Sequence, residues 1–175
     1  MKRKLFIFMF LGYFGGLFSQ IQYDSLKIRN INQYVSKVEN DKSKKAKKFS
    51  VVTKENKKIN YEFVEKNGQI VKISRTWKTE NNGWEEITRE QYILKEEKMV
   101  FAFQGTESYL KTDRENQYGW SCNFWIEDNK VIYMNSLGHG KTEDENWDYE
   151  KEIRENFNFM MNFMMKTIRK HQNKK

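Results

Sequence analysis

Three short units of the same kind recur in the middle of the chain, and they constrain its fold more than anything else in it. Align the dipeptides Asn67-Gly68, Glu96-Glu97 and Asp128-Asn129. The first and second lie 29 residues apart, the second and third 32. Four residues before each pair stands an aromatic residue (Phe63, Tyr92, Phe124), followed by Val64, Ile93 or Trp125. After each pair comes Gln69, Lys98 or Lys130, then Ile70-Val71, Met99-Val100 or Val131-Ile132. Asn-Gly between apolar runs is the strongest short hairpin signal, because both residues adopt positive φ at low cost. Asp-Asn is a fair substitute. Glu-Glu suits such a turn poorly and predicts a longer or distorted loop. Asn81-Asn82-Gly83 and the polar run Lys111 to Gln117 read as turns between the units.

The pattern predicts six antiparallel strands in a meander, over roughly 59–66, 69–79, 84–95, 98–110, 118–127 and 130–136, with a further strand allowed at Phe49 to Thr53. Strict alternation puts Val64, Val71, Ile73, Ile93, Val100, Ala102, Trp125, Ile132 and Met134 on one face. The other face receives Tyr61, Phe63, Ile70, Tyr92, Leu94, Met99, Phe101 and Phe103, then Phe124, Ile126, Val131 and Tyr133. Both faces are apolar, the second more so, whereas a sheet with one wet face alternates apolar with polar. Each face therefore calls for cover or for a ligand.

Two helices are available as cover. The first spans about Asp24 to Asn40, with a stripe of Leu26, Ile28, Ile31, Tyr34, Val35 and Val38. The run Lys42 to Lys48 (42–48) then reads as a basic linker. The second helix follows Gly138-His139-Gly140, with Thr142 and Glu145 spaced as a capping box. Acids lie near its start and Lys166, Arg169 and Lys170 near its end, matching the helix dipole. Its stripe is Ile153, Phe157, Met160, Met161, Met164 and Ile168, and the basic tail from 170 to 175 should fray.

The chain opens with Lys2-Arg3-Lys4 and an apolar run from Leu5 to Phe18, ending at Ser19-Gln20. That is the layout of a secretory signal peptide over residues 1–19. Interrupted by Gly12, Gly15 and Gly16, the run is short for a bilayer span, although an uncleaved anchor is the competing reading. Cleavage would leave one α+β domain over 20–175, with no transmembrane segment, in the periplasm or outside the cell. Losing Lys2, Arg3 and Lys4 lowers the formal net charge from +8 to +5. The basic residues are 25 lysines against 7 arginines. Arginine is the residue of choice for phosphate and base recognition, so its scarcity and export both argue against nucleic acid. With Cys122 as the single cysteine, no intramolecular disulfide can form, and the residue reads as a small buried hydrophobe beside Phe124.

Chemical motifs are sparse. His139, between two glycines at the sheet-to-helix junction, is the one candidate catalytic residue. Asp144, Ser136 and Ser121 are near in sequence, yet no nucleophile elbow is present. Two histidines and one cysteine cannot meet zinc spacings, and Glu143, Asp144, Glu145 and Asp148 lack a calcium-loop pattern. No metal and no cofactor are expected. The basic run 42–48 can touch an anionic envelope component, but it lacks interleaved aromatics, and a solvated linker explains it more simply. Phe101, Phe103 and Tyr133 on the richer face, with Met160 and Met164 of the last helix, are the candidate ligand-lining residues. A methionine stripe at helical spacing is more often plain core.

On Tyr61 to Ile73, Gln91 to Phe103, Cys122 to Met134 and the Ser19-Gln20 signal end, the chain resembles small exported proteins of unknown function of the Bacteroidota type. These carry a signal peptide, a short helix, two-stranded units with Tyr or Phe before an Asn-Gly-Lys-like turn, and a final helix. MORN-type hairpin repeats look similar locally but have a shorter period and more regular glycines. The resemblance implies a fold and supplies no catalytic residue. The expectation is an exported, non-enzymatic binding or interaction module using a sheet face or edge, its partner a protein, an apolar ligand or an envelope component. The alternatives are a hydrolase using His139 and a carrier of an apolar ligand between sheet and last helix.

Overall fold

The computed structural model describes residues 25–43 and 45–172. The signal segment 1–19, Asp24 and the tail residues 173–175 lie outside this description. The architecture is α+β. Helix α1 (25–40) precedes a seven-stranded antiparallel meander, and α2 (Tyr149–Gln172) closes the fold. The strands are β1 (Lys45–Val52), β2 (Lys58–Lys66), β3 (Gln69–Asn81), β4 (Trp84–Lys95), β5 (Lys98–Leu110), β6 (Asp113–Glu127) and β7 (Lys130–Leu137). Spatial order equals chain order, so β1 and β7 are the two edges.

The repeat survives in three dimensions. Asn67-Gly68, Glu96-Glu97 and Asp128-Asn129 all take positive φ at both positions, as two-residue hairpin turns of the favoured twist require. Glu96-Glu97, expected to form a longer loop, thus makes the same tight turn as its counterparts. A strongly paired sheet on both sides imposes the conformation that the side chains alone disfavour.

Each hairpin also carries a bulge at the same place, between Val64 and Glu65, Ile93 and Leu94, and Trp125 and Ile126. The additional residues opposite are Val71, Val100 and Ile132, skipped when Val64 pairs with Lys72, Ile93 with Phe101 and Trp125 with Tyr133. A bulge breaks alternation, and strict parity goes wrong beyond it. Ile73 and Ala102 join Tyr61, Phe63, Tyr92, Leu94, Cys122, Phe124 and Ile126 under α2. Phe101 and Phe103, expected there, instead lie with Val64, Val71, Ile93 and Trp125 under α1. Tyr133 is with them, its ring 5.0 Å from that of Trp125.

Helix α2 crosses the richer face diagonally. Trp147 and Tyr149 pack on Trp120 and Phe124 of β6, Phe157 meets Tyr92 edge-on at the centre, and Phe163 reaches Phe49 and Tyr61 at the β1–β2 side. Ile153, Met160 and Met164 are fully buried beneath it. The helix starts later than the Thr142–Glu145 spacing suggests. Thr142 sits in a 3-10 turn (Lys141–Glu143), where its hydroxyl accepts from Trp120 Nε1 at 3.2 Å. The cap is Asp148, whose carboxylate accepts from the Lys151 N–H at 3.0 Å. At the other end the helix continues to Gln172, through residues expected to fray.

Helix α1 covers the second face near the hairpin turns. Val38 is buried, with Ile28, Ile31, Tyr34 and Val35 packed beside it, whereas Leu26 is exposed. Tyr34 Oη donates to the Leu94 carbonyl at 2.8 Å, and Trp125 Nε1 donates to Asn32 at 2.7 Å. The run 42–48 is less of a linker than expected. From Lys45 it is the edge strand β1, with Lys47 and Lys48 paired to Glu65 and Glu62 of β2 at 2.8 and 3.0 Å. The polar run from Lys111 likewise shrinks to a two-residue connection, because β6 begins at Asp113.

Candidate functional site

The long strands reach well past α1. Counting alternately from Ile93, Phe101 and Trp125, the α1 side continues through Ile87 and Arg89 on β4, Gly105 and Glu107 on β5, and Gln117, Gly119 and Ser121 on β6. These residues, with Phe103 and Leu137, line an open trough of about 530 Å³. Its floor is low because Gly105 and Gly119, on adjacent strands, place no side chain there. A Cβ at Gly119 would meet only the Thr106 carbonyl oxygen, at 3.4 Å. At Gly105 it would press on the Phe103 ring, at 2.7 Å, so that ring already leans over its glycine. The walls are mixed: Ile87, Phe103 and Leu137 are apolar, while Arg89 and Glu107 form an exposed ion pair across β4 and β5.

On the opposite side, under α2, is a buried polar cluster. Arg75 Nε donates to Glu90 at 2.7 Å, with side chains only 13% and 7% exposed. Arg75 also donates to Asn156 of α2 at 3.0 Å. Beside them Gln104 donates to Glu152 at 3.4 Å, and Glu152 also accepts from Trp147 Nε1 at 2.8 Å and pairs with Lys141. Burial opposes ionisation of Glu152, yet these donors together hold its carboxyl below the usual range. Burial pushes the Tyr92 phenol far above its ordinary range, with the Glu90 charge adding to the effect. Tyr92 Oη and Gln104 Oε1 have no hydrogen-bond partner among the described residues. The cluster ties sheet to helix: Glu90 and Gln104 are buried at its centre with Arg75 mostly buried beside them, and Lys141, Glu152 and Asn156 reach solvent at its edge.

The sequence-expected candidates are dispersed. His139 is exposed and pairs with Glu143, one helical turn on. The hydroxyl of Ser136 bonds Thr142, and Asp144 accepts from the Asn146 N–H, so neither orients His139. The glycines flanking His139 serve packing: a Cβ at Gly138 would overlap the Gly119 carbonyl, and one at Gly140 the Trp120 ring. Met160 and Met164 are core under α2, while Phe101, Phe103 and Tyr133 are across the sheet from them. Of the candidate residues singled out from the sequence, only Phe103 and Ser121 border the trough. Among the described residues no cluster of His, Cys, Asp or Glu is arranged to hold a metal ion. Nor is any helix among them long and apolar enough to cross a membrane.

Gly105 and Gly119, inside predicted strands, were the available sign of the trough, since a glycine in a strand often marks a close backbone approach. Arg75 and Glu90, at the core parity of Ile73 and Tyr92, were the sign of the buried pair. Comparisons with protein-family models, curated proteins and solved structures find no match, and no characterised family is recognised in the chain.

Proposed function

We propose that the chain is an exported, non-enzymatic binding module whose receptor surface is the trough on the α1 side of the sheet. The observation that carries this reading is the missing side chain at exposed Gly119, beside the Phe103 ring that covers Gly105, on a half-sheet that α1 leaves bare. Glycine inside a strand weakens it, and at Gly119, unlike Gly105 under its Phe103 ring, no side chain covers the backbone. A ligand seated against the exposed backbone would offset it. The mixed walls suit a ligand with apolar groups for Ile87, Phe103 and Leu137 and polar groups for Arg89 and Glu107. Export rests on the basic-then-apolar start of the sequence.

Native mass spectrometry of the chain isolated from its source tests both parts. The wild type should carry an added mass that Gly119→Leu lacks, because a Cβ there meets only the Thr106 carbonyl oxygen, at 3.4 Å, and the added side chain takes up trough space. The chain itself should begin near Gln20 or Ile21. An adduct retained equally by Gly119→Leu, or none on the wild type, refutes the trough as receptor. An intact Met1 on a chain recovered from the soluble cytoplasm refutes export.

A further inference from the structure

We propose that β7 is a homodimerisation edge, pairing antiparallel with β7 of a second copy of this chain. The two edges of the sheet are built differently. Along β1, Lys45, Lys47 and Lys48 line the border, the usual protection of an exposed strand. Along β7 no charged residue follows Lys130, and the chain contains no proline that would break the strand. Beyond Lys130 its exposed side chains are uncharged: Tyr133 45%, Met134 37% and Leu137 77% exposed, with Asn135 the one polar residue among them. Only the beginning of β7 is closed, where the Val131 N–H donates to Glu150 of α2 at 3.0 Å. Among the described residues nothing bonds the backbone of 133–137 from the open side.

The occupant follows from charge and symmetry. Adding β7 of one copy to β1 of the next would set an apolar edge against a lysine border and continue without end. Pairing β7 with itself closes after two copies, which a two-fold contact does. A two-fold axis normal to the sheet keeps the α1 sides together, so odd-numbered residues of β7 face odd-numbered ones. With the axis at Asn135, Tyr133 of one copy stands opposite Leu137 of the other, and Met134 opposite Ser136. Lys130 then falls beyond the paired stretch, and no like charges meet. The two troughs, each bounded by its own Leu137, come to lie on one continuous face. The pairing itself stands whether or not the trough holds a ligand.

Sedimentation velocity on the processed chain over two decades of concentration should show a monomer–dimer equilibrium. Leu137→Lys should weaken it by at least about tenfold with an unchanged circular-dichroism spectrum. Asn135→Cys should form a disulfide-linked dimer under mild oxidation, while the same change at Lys54, in the β1–β2 turn, should not; Cys122 is buried and does not interfere. A chain that is monomeric throughout, a dimer indifferent to Leu137→Lys, or equal cross-linking at 135 and 54 would overturn the proposal. So would saturable pairing of β7 with a foreign strand in place of its own copy.

Discussion

Replacing Arg75 by methionine strands a buried carboxylate, and the structure sets how much that should cost. Glu90 is 7% exposed, its partner 13%, and the contact is 2.7 Å. At an effective dielectric near 20 the attraction of two unit charges about 4 Å apart is ~4 kcal/mol, most of it cancelled by taking both charges out of water. The intact pair therefore adds little net stability. Removal of one partner is different, because the desolvation of the other is no longer compensated, and roughly 3–5 kcal/mol is lost. Arg75→Met also releases Asn156, but that residue is half-buried and can turn to water at small further cost. The double variant Arg75→Met/Glu90→Leu leaves no stranded charge and should return to within about 1 kcal/mol of wild type. Urea melts of the four proteins, read at constant slope, give the cycle. A single variant costing less than about 1 kcal/mol would refute the burial argument. A double variant as unstable as Arg75→Met would show that the pair supplies specific bonds an apolar core cannot replace.

Two further expectations test the packing. Gly138→Ala forces a side chain onto a residue with φ of 81° and into the Gly119 carbonyl, so it should cost on the order of 2–4 kcal/mol in thermal melts; an unchanged midpoint would mean that the His139 loop does not rest on β6. Cys122, whose thiol burial pushes up to about 12, should resist maleimide in the folded state. Because its folded value lies above the unfolded one, the stability it contributes is complete below the ordinary thiol range and is lost as pH rises toward 12. Cys122→Ala should therefore lose less stability than wild type between neutral and alkaline pH, and parallel curves would refute the assignment.

The order of the elements was legible before any coordinates. Turn dipeptides, aromatic spacing and two helical stripes sufficed for helix, meander and helix, because each reports a local backbone preference or a local period. Glu96-Glu97 shows where local preference yields: the turn is tight because the strands on both sides pair around it. The bulges escaped detection since Val71, Val100 and Ile132 fit an alternating pattern as well as they fit a bulge, and only pairing across the sheet distinguishes the two. That single register step in each hairpin moved Phe101, Phe103 and Tyr133 to the α1 side and separated them from Met160 and Met164. Similarly, the sequence marks Gly105 and Gly119 as unusual residues on neighbouring strands of the meander, but the face they open and their register come only from the pairing. What the sequence determined by itself is the list and order of elements, which rests on contacts between near neighbours in the chain. The tertiary structure alone decided which face each residue serves, how far each helix covers the sheet, and hence where the trough lies, because those depend on register summed over six successive strand pairings.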